Sequence, residues 1–84
     1  MNGEMPSIRS EENSMKKIVS PMAGTVWKIT KAMGDRVEYG DTVVILESMK
    51  MEIPVEADSQ GTVSKIVVAE GEVVDLDTVL IELS

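Results

Sequence analysis

The 84-residue chain contains no cysteine, no histidine and no phenylalanine, and its only aromatic residues are Trp27 and Tyr39. Without cysteine and histidine there are no disulfide bonds, no thiol nucleophile, no zinc-finger spacing and no imidazole general base. Apolar runs extend over only a few residues, too few to span a membrane, and the N-terminus lacks the apolar segment of a signal peptide. A chain of this length forms one small domain, and we expect it to be cytoplasmic and non-catalytic.

Acidic residues outnumber basic residues by 15 to 8, which gives a formal net charge of -7. The excess lies in residues 51–84, where eight acidic residues occur with Lys65 as the only base. Such a surface repels phosphate backbones, and two aromatic residues do not form a stacking platform, so we do not expect nucleic-acid binding. Acidic surfaces keep small domains soluble, and we expect a monomer in isolation.

Residues 1–14 have few apolar residues, no sustained hydrophobic period and several polar residues that interrupt secondary structure. We predict that they form a disordered N-terminal tail. Met15 begins a strand-like segment, so the folded domain is expected to comprise residues 15–84.

From Gly24 onward the chain contains two copies of one unit. Residues 24–29 match residues 61–66 at an offset of 37, whereas residues 41–43 match residues 77–79 at an offset of 36. The sequence therefore predicts that one residue is lost between the two matches. Each copy consists of short strand-like runs separated by glycine-containing turns, without helical periodicity. We predict an all-β fold with an internal pseudo-two-fold repeat.

The predicted core is mostly β-branched, as pleated surfaces favour. In the first strand of each copy the apolar spacing of three residues breaks strict alternation, which predicts a bulge or a bend. The expected core residues are Ile18, Val26, Ile29, Val37, Val43, Ile45, Val55, Val63, Ile66, Val74, Val79 and Ile81.

Residues 47–52, Glu-Ser-Met-Lys-Met-Glu, separate two strand-like runs at residues 42–46 and 53–57. The chain must reverse here, yet the segment lacks the Gly, Asn, Asp or Pro that tight hairpin turns favour. Local chemistry that opposes the local fold is typical of a functional site. Lys50 is the only reactive group in the segment. Because lysine amines are almost all protonated at neutral pH, Lys50 fits the substrate of a modifying enzyme better than a catalyst.

Residues 49–51, Met-Lys-Met, resemble the biotin-attachment signature of biotinyl carrier domains, with Glu47 and Glu52 on either side. The usual core of that signature is Ala-Met-Lys-Met, from which this chain departs only at Ser48. Residues 21–26 resemble the loop and strand that precede the attachment hairpin in those domains.

The resemblance to the biotinyl/lipoyl attachment family covers residues 15–84 and implies a barrel-sandwich hybrid. This fold is a flattened β-barrel, or sandwich, of two four-stranded antiparallel sheets with the attachment lysine on a hairpin at one end. Residues 31–39 match their repeat partner without an insertion. The protruding thumb found in some carriers of acetyl-CoA carboxylase is therefore expected to be absent, as in small biotin/lipoyl attachment proteins.

The same resemblance implies a biotin carboxyl carrier. A biotin protein ligase would attach biotin to Lys50, a biotin carboxylase would carboxylate the attached group, and a carboxyltransferase would pass the carboxyl to an acceptor. We expect a swinging arm of an acetyl-CoA carboxylase in fatty acid biosynthesis, with pyruvate, other acyl-CoAs and urea-type acceptors left open. No metal site is expected. The biotin site is expected to comprise Lys50, the covalent attachment residue, with Glu47, Ser48, Met49, Met51 and Glu52.

Two alternatives have the same scaffold. A lipoyl carrier of a dehydrogenase or glycine-cleavage system, or a dual biotin/lipoyl protein, would carry lipoate on Lys50, but lipoyl carriers usually have Asp before or Ala after the lysine. A barrel-sandwich binding module without any modification would need no reactive lysine at the junction of the copies. For Met49 and Met51, packing into the core is the alternative to a role in ligase recognition.

Overall fold

A computed structural model of the protein describes residues 16–84. Within this range the chain forms two four-stranded antiparallel sheets with strand orders β1-β8-β6-β3 and β5-β4-β2-β7. The strands are β1 (Lys16–Val19), β2 (Gly24–Ile29), β3 (Arg36–Val37), β4 (Thr42–Ser48), β5 (Met51–Glu56), β6 (Gly61–Ile66), β7 (Val73–Val74) and β8 (Val79–Leu83). The predicted fold class is confirmed. The predicted tail, residues 1–14, and its boundary at Met15 lie outside the described residues and stay predictions.

A constant offset of 37 residues relates the two halves of the structure. In the β2–β4 ladder Val26 pairs with Leu46, and in the β6–β8 ladder Val63 pairs with Leu83. The strands β1 and β5 follow the same offset of 37 residues, because β5 pairs with β4 as β1 pairs with β8. The links from β2 to β3 and from β6 to β7 are equally long, so no thumb is inserted between residues 30 and 35. The prediction that one residue is lost between the copies is therefore wrong.

The apparent offset of 36 arises at a turn. Asp41 closes this turn in the first half, since its N–H donates to Glu38 O at 3.1 Å and its carboxylate accepts from Glu38 N at 2.9 Å. Thr78 closes the second turn in the same way, through 3.1 Å and 3.0 Å bonds to the backbone of Asp75. Thr78 and not Asp77 is thus the structural partner of Asp41. The sequence match aligned identical residue types, whereas the structural equivalence of the two turns follows from their hydrogen bonds.

The core lies between the two sheets. Most of the predicted core residues are buried, and Ile29 and Ile66 pack against the core from half-buried positions. The prediction is wrong at Ile45 and Val79, which are half-buried. It also missed several buried residues: Val44, Leu46, Ala57, Val68, Leu80 and Leu83.

Bulges explain these errors in the predicted core. The register between β4 and β5 shifts between Thr42 and Val44, and the register between β1 and β8 shifts at Val19. Two consecutive residues of β4, Val43 and Val44, are both fully buried, so the alternation changes phase and Leu46 faces the core. The bulge predicted in the first strand of each copy is confirmed by register shifts in β2 and β6.

No helix in residues 16–84 is long and apolar enough to cross a membrane.

Candidate functional site at the β4–β5 hairpin

Met49 and Lys50 form a two-residue turn between β4 and β5, and Ser48 pairs with Met51 as the last pair of the ladder. Both turn residues have a left-handed backbone, with φ of 52° for Met49 and 65° for Lys50. This is the geometry of a type I′ hairpin turn, which normally selects Asn and Gly. Each non-glycine residue in this region costs about 1 kcal/mol or more. The turn predicted from the sequence is therefore present and strained.

The strands on either side keep the strained turn in place. β4 lies in the interior of its sheet, paired with β2 on one edge and with β5 on the other. Leu46 of β4 is fully buried, and its ladder partner Ile53 packs against the core from a half-buried position. Because these buried pairs fix the register of the hairpin, Met49 and Lys50 have no other way to connect the strands.

The Lys50 side chain is exposed at the tip of the hairpin. None of the ion pairs formed among residues 16–84 involves it. An amine in this position is open to a modifying enzyme from outside the domain. The geometry therefore presents Lys50 to a partner and does not use it to stabilise the fold.

The two methionines beside Lys50 are also exposed. Met49 has 91% of its surface accessible and Met51 has 64%, although Met51 shares the strand parity of the half-buried Ile53. The methionine that packs against the core is Met22, in the loop before β2. The interpretation of Met49 and Met51 as core filler is therefore wrong, and both thioethers border the lysine on the surface.

The acidic residues of the segment flank the turn on one side of the hairpin. Glu47 and Glu52 are exposed and lie directly opposite each other, one pair behind the Ser48–Met51 pair. Ser48 is half-buried at the base of the turn. The structure thus brings all six predicted site residues together within one hairpin.

Gly24, which was not among the predicted site residues, lies against the base of this hairpin. A Cβ at Gly24 would be 3.1 Å from Glu47 O and 3.7 Å from Ser48 Cβ, so glycine permits the close approach of β2 to β4. The signal was available in the sequence, since Gly24 and Gly61 begin the two repeated strands. A glycine retained at the start of both copies indicates a close backbone contact.

The hairpin lies at the opposite end of the barrel from the first and last described residues. The ladder pair Leu46–Ile53 corresponds, at the offset of 37, to the pair Leu83–Lys16. The loop that follows β2 reaches the start of β6, where Gly34 N donates to Val63 O at 2.9 Å, so equivalent strands run in opposite directions. Lys16 and Ser84 therefore both lie at the end of the barrel remote from the Lys50 tip.

A sequence model of a family described as "Biotin-requiring enzyme" matches residues 16–83. The chain belongs to the biotinyl/lipoyl attachment family. The family description names biotin, which confirms the predicted cofactor. The exposed, strained Lys50 turn suits a covalent group of this kind, because it offers a free amine beyond the end of the sheet.

Family members of several sizes are similar to this chain. It is 51% identical over 63 residues to the biotin/lipoyl attachment protein of Bacillus subtilis, which covers 75% of this chain and 86% of that protein. It is 35% identical to the chloroplastic biotin carboxyl carrier protein of acetyl-CoA carboxylase from Glycine max, of which it spans 31%. It superposes on the crystal structure of Kluyveromyces lactis urea carboxylase with a TM-score of 0.79 and 32% identity, over 100% of this chain and 7% of that one. The family fold thus occurs both in small proteins and within large carboxylases.

Proposed function

We propose that a biotin protein ligase attaches biotin to Lys50 and that the domain then carries carboxyl groups between a biotin carboxylase and a carboxyltransferase. The observation that supports this proposal is the Met49–Lys50 turn, where two non-glycine residues hold a left-handed backbone at an exposed tip. Asn-Gly would form the same turn with less strain. The Met-Lys pair is therefore present for a partner and not for the fold.

The residues of the hairpin have different roles in presenting the lysine to its partners. Lys50 provides the amine that forms the amide bond, while the ligase has to supply the activated biotin carboxyl and accept the amine proton. Met49 and Met51 provide apolar surface on either side, and Glu47 and Glu52 provide negative charge one pair further back. When bound, biotin supplies a ureido nitrogen that can hold and release a carboxyl group.

The domain contributes position and no bond-making of its own. An arm that starts at an exposed tip sweeps a limited volume, which raises its local concentration at both partner sites and makes each transfer effectively intramolecular. We propose acetyl-CoA as the acceptor, because carriers of acetyl-CoA carboxylase recur among the relatives. A cytoplasmic location and a monomeric state stay predictions.

The proposal is tested by incubating the unmodified protein with biotin, ATP and a biotin protein ligase and measuring its intact mass. The parent should gain one biotinyl group, and Lys50→Arg should gain none while retaining its circular dichroism spectrum and melting temperature. Lys65→Arg, which removes another exposed lysine from a strand, serves as the control and should be modified like the parent. Modification of Lys28 or Lys65 in place of Lys50 would refute the assignment.

A lipoyl group on the same lysine is the second candidate. The observation in its favour is the 51% identity to a relative named for both biotin and lipoyl attachment. Parallel incubation with a lipoate ligase, also followed by intact mass, should give slow but detectable modification. Replacing Met49 by Asp and Met51 by Ala should shift the ratio toward lipoate, because apolar contacts for the biotin ligase are lost and a charge is added. An unchanged ratio would show that the methionines do not set the selectivity.

A further inference from the structure

Met49 is the most exposed large apolar side chain among residues 16–84. Its accessible fraction is 91%, compared with 64% for Met51 and 61% for Met33, while Met22 is half-buried against the core. We propose that Met49 is a reversible oxidation site, and that conversion of its thioether to a sulfoxide by a peroxide slows the modification of Lys50. This inference deepens the proposed function and rests on it for its second half.

The turn places Met49 beyond the last pair of the ladder, where its side chain is in solvent. Ser48 and Met51 are paired across the hairpin directly behind it, and its left-handed φ of 52° is imposed by the two-residue connection. The side chain belongs neither to the buried core nor to the half-buried residues that pack on it. A methionine in this position is accessible to small oxidants in the folded, unmodified domain.

The reaction is a two-electron oxidation of sulfur by a hydroperoxide. The sulfur lone pair attacks the terminal oxygen of the hydroperoxide, an S–O bond forms and the O–O bond breaks. The proton of the attacked oxygen passes to the other oxygen, which leaves as water or an alcohol. The product is polar and chiral, and methionine sulfoxide reductases return it to the thioether. Lys50 itself is not altered chemically.

A sulfoxide next to Lys50 would change the surface that a ligase must contact. Burying the new S–O group without a hydrogen-bond donor carries a desolvation penalty, and the apolar contact of the thioether is lost as well. Loss of one such contact in an apolar pocket typically changes a specificity constant by about tenfold. We therefore expect about a tenfold fall in kcat/KM for ligation.

Met33 offers a matched control within the same chain. Its exposure of 61% is close to that of Met51, but it lies in the loop between β2 and β3. That loop contacts the start of β6 through the bond from Gly34 N to Val63 O, at the end of the barrel opposite the hairpin. Oxidation of Met33 should therefore leave ligation of Lys50 unchanged.

The test exposes the unmodified parent, Met49→Leu and Met33→Leu to graded hydrogen peroxide, removes the peroxide, and measures sulfoxides by peptide mass mapping. The ligation rate of each protein is measured before and after the treatment. The proteins are then compared by the ratio of the rate after treatment to the rate before it. In the parent, Met49 should be oxidised before Met33 and Met22, and ligation should fall about tenfold. This ratio of rates should fall in Met33→Leu as in the parent and should fall clearly less in Met49→Leu, where only the less exposed Met51 remains beside Lys50. Treatment of the oxidised parent with methionine sulfoxide reductases should restore its ligation rate.

Equal ligation rates before and after oxidation of Met49 would overturn the inference while leaving Lys50 as the attachment site. A fall in Met49→Leu as large as in the parent would also overturn it and would assign the effect to another methionine. Failure of the untreated parent to accept biotin at all would instead refute the proposed function.

Discussion

Glu47 lies directly opposite Glu52 in the ladder that ends at the Met49–Lys50 turn. Like charges in directly opposed positions destabilise an antiparallel pair. Neither carboxylate takes part in an ion pair with another residue of the described range 16–84. The hairpin therefore combines electrostatic repulsion with a strained turn at the same end, which fits a surface selected for recognition more than for stability.

Replacing Glu52 by Gln should raise the free energy of unfolding by about 0.5 kcal/mol, because the repulsion between the opposed carboxylates is removed. Added salt should stabilise the parent more than the variant, since screening weakens the same repulsion. Urea unfolding at low and high salt measures both effects. Glu56→Gln is the control, because Glu56 lies on the same strand opposite the neutral Thr42 and should show neither effect. An unchanged stability in Glu52→Gln would show that solvent already screens the pair.

Replacing Gly24 by Ala should slow the ligation of Lys50 even when the rate is expressed per folded molecule. The new methyl group would lie 3.1 Å from Glu47 O and would push β4 outward at the base of the hairpin. Ligation kinetics per folded molecule, with the folded fraction taken from thermal melts, separate the two effects. Gly61→Ala is the matched control, since its Cβ would lie 2.6 Å from Ser84 O at the opposite end. Gly61→Ala should lose stability and ligate normally; equal slowing in both variants would indicate a purely structural role for Gly24.

Replacing Asp77 by Gly should stabilise the domain by up to ~1 kcal/mol. Asp77 has φ of 70° at the position where the first half has Gly40 with φ of 85°. Glycine adopts this conformation without the steric cost of a Cβ. The reciprocal substitution Gly40→Asp should lower the stability by a similar amount, and thermal or urea unfolding measures both. The two substitutions should change the free energy of unfolding in opposite directions. A loss of stability in Asp77→Gly would contradict the equivalence of the turns.

The pKa of the Asp41 carboxyl is lowered, chiefly by the hydrogen bond from Glu38 N and to a smaller extent by the Lys31 ammonium 3.4 Å away. Because the folded state holds the proton less tightly than the unfolded chain, Asp41 stabilises the fold above the ordinary Asp pKa of about 3.9. This contribution should be lost as the pH falls through the lowered, folded-state value. The stability difference between the parent and Asp41→Asn should therefore shrink with acidification, as measured by urea unfolding between neutral pH and about pH 2.

Thr78 provides the control for this pH effect, because it closes the equivalent turn with an uncharged hydroxyl. Thr78→Val should lower the stability by an amount that does not depend on pH over the same range. A pH-independent difference for Asp41→Asn would show that the carboxylate charge does not contribute.

The sequence alone determined the fold class and the existence of two copies, and it predicted the place of the candidate site. Repeated strand signals separated by glycine turns are local, and a strand pattern without helical period leaves few alternatives to an all-β fold. Lys50 is the predicted attachment residue partly because Met-Lys-Met contradicts the chemistry of a tight turn, and this contradiction is visible without coordinates.

Only the tertiary structure decided which residues correspond and which face the core. Asp77 carries the same letter as Asp41, yet hydrogen bonding across the turn pairs Asp41 with Thr78. Bulges change the phase of a strand, so Leu46 is buried although strict alternation from Val43 would place it outside. The sequence also did not reveal that Met51 is exposed, because strand parity directs its side chain inward. At the end of a sheet no neighbouring layer covers a side chain that the pattern turns inward, and only the packing of the whole barrel shows where that layer ends.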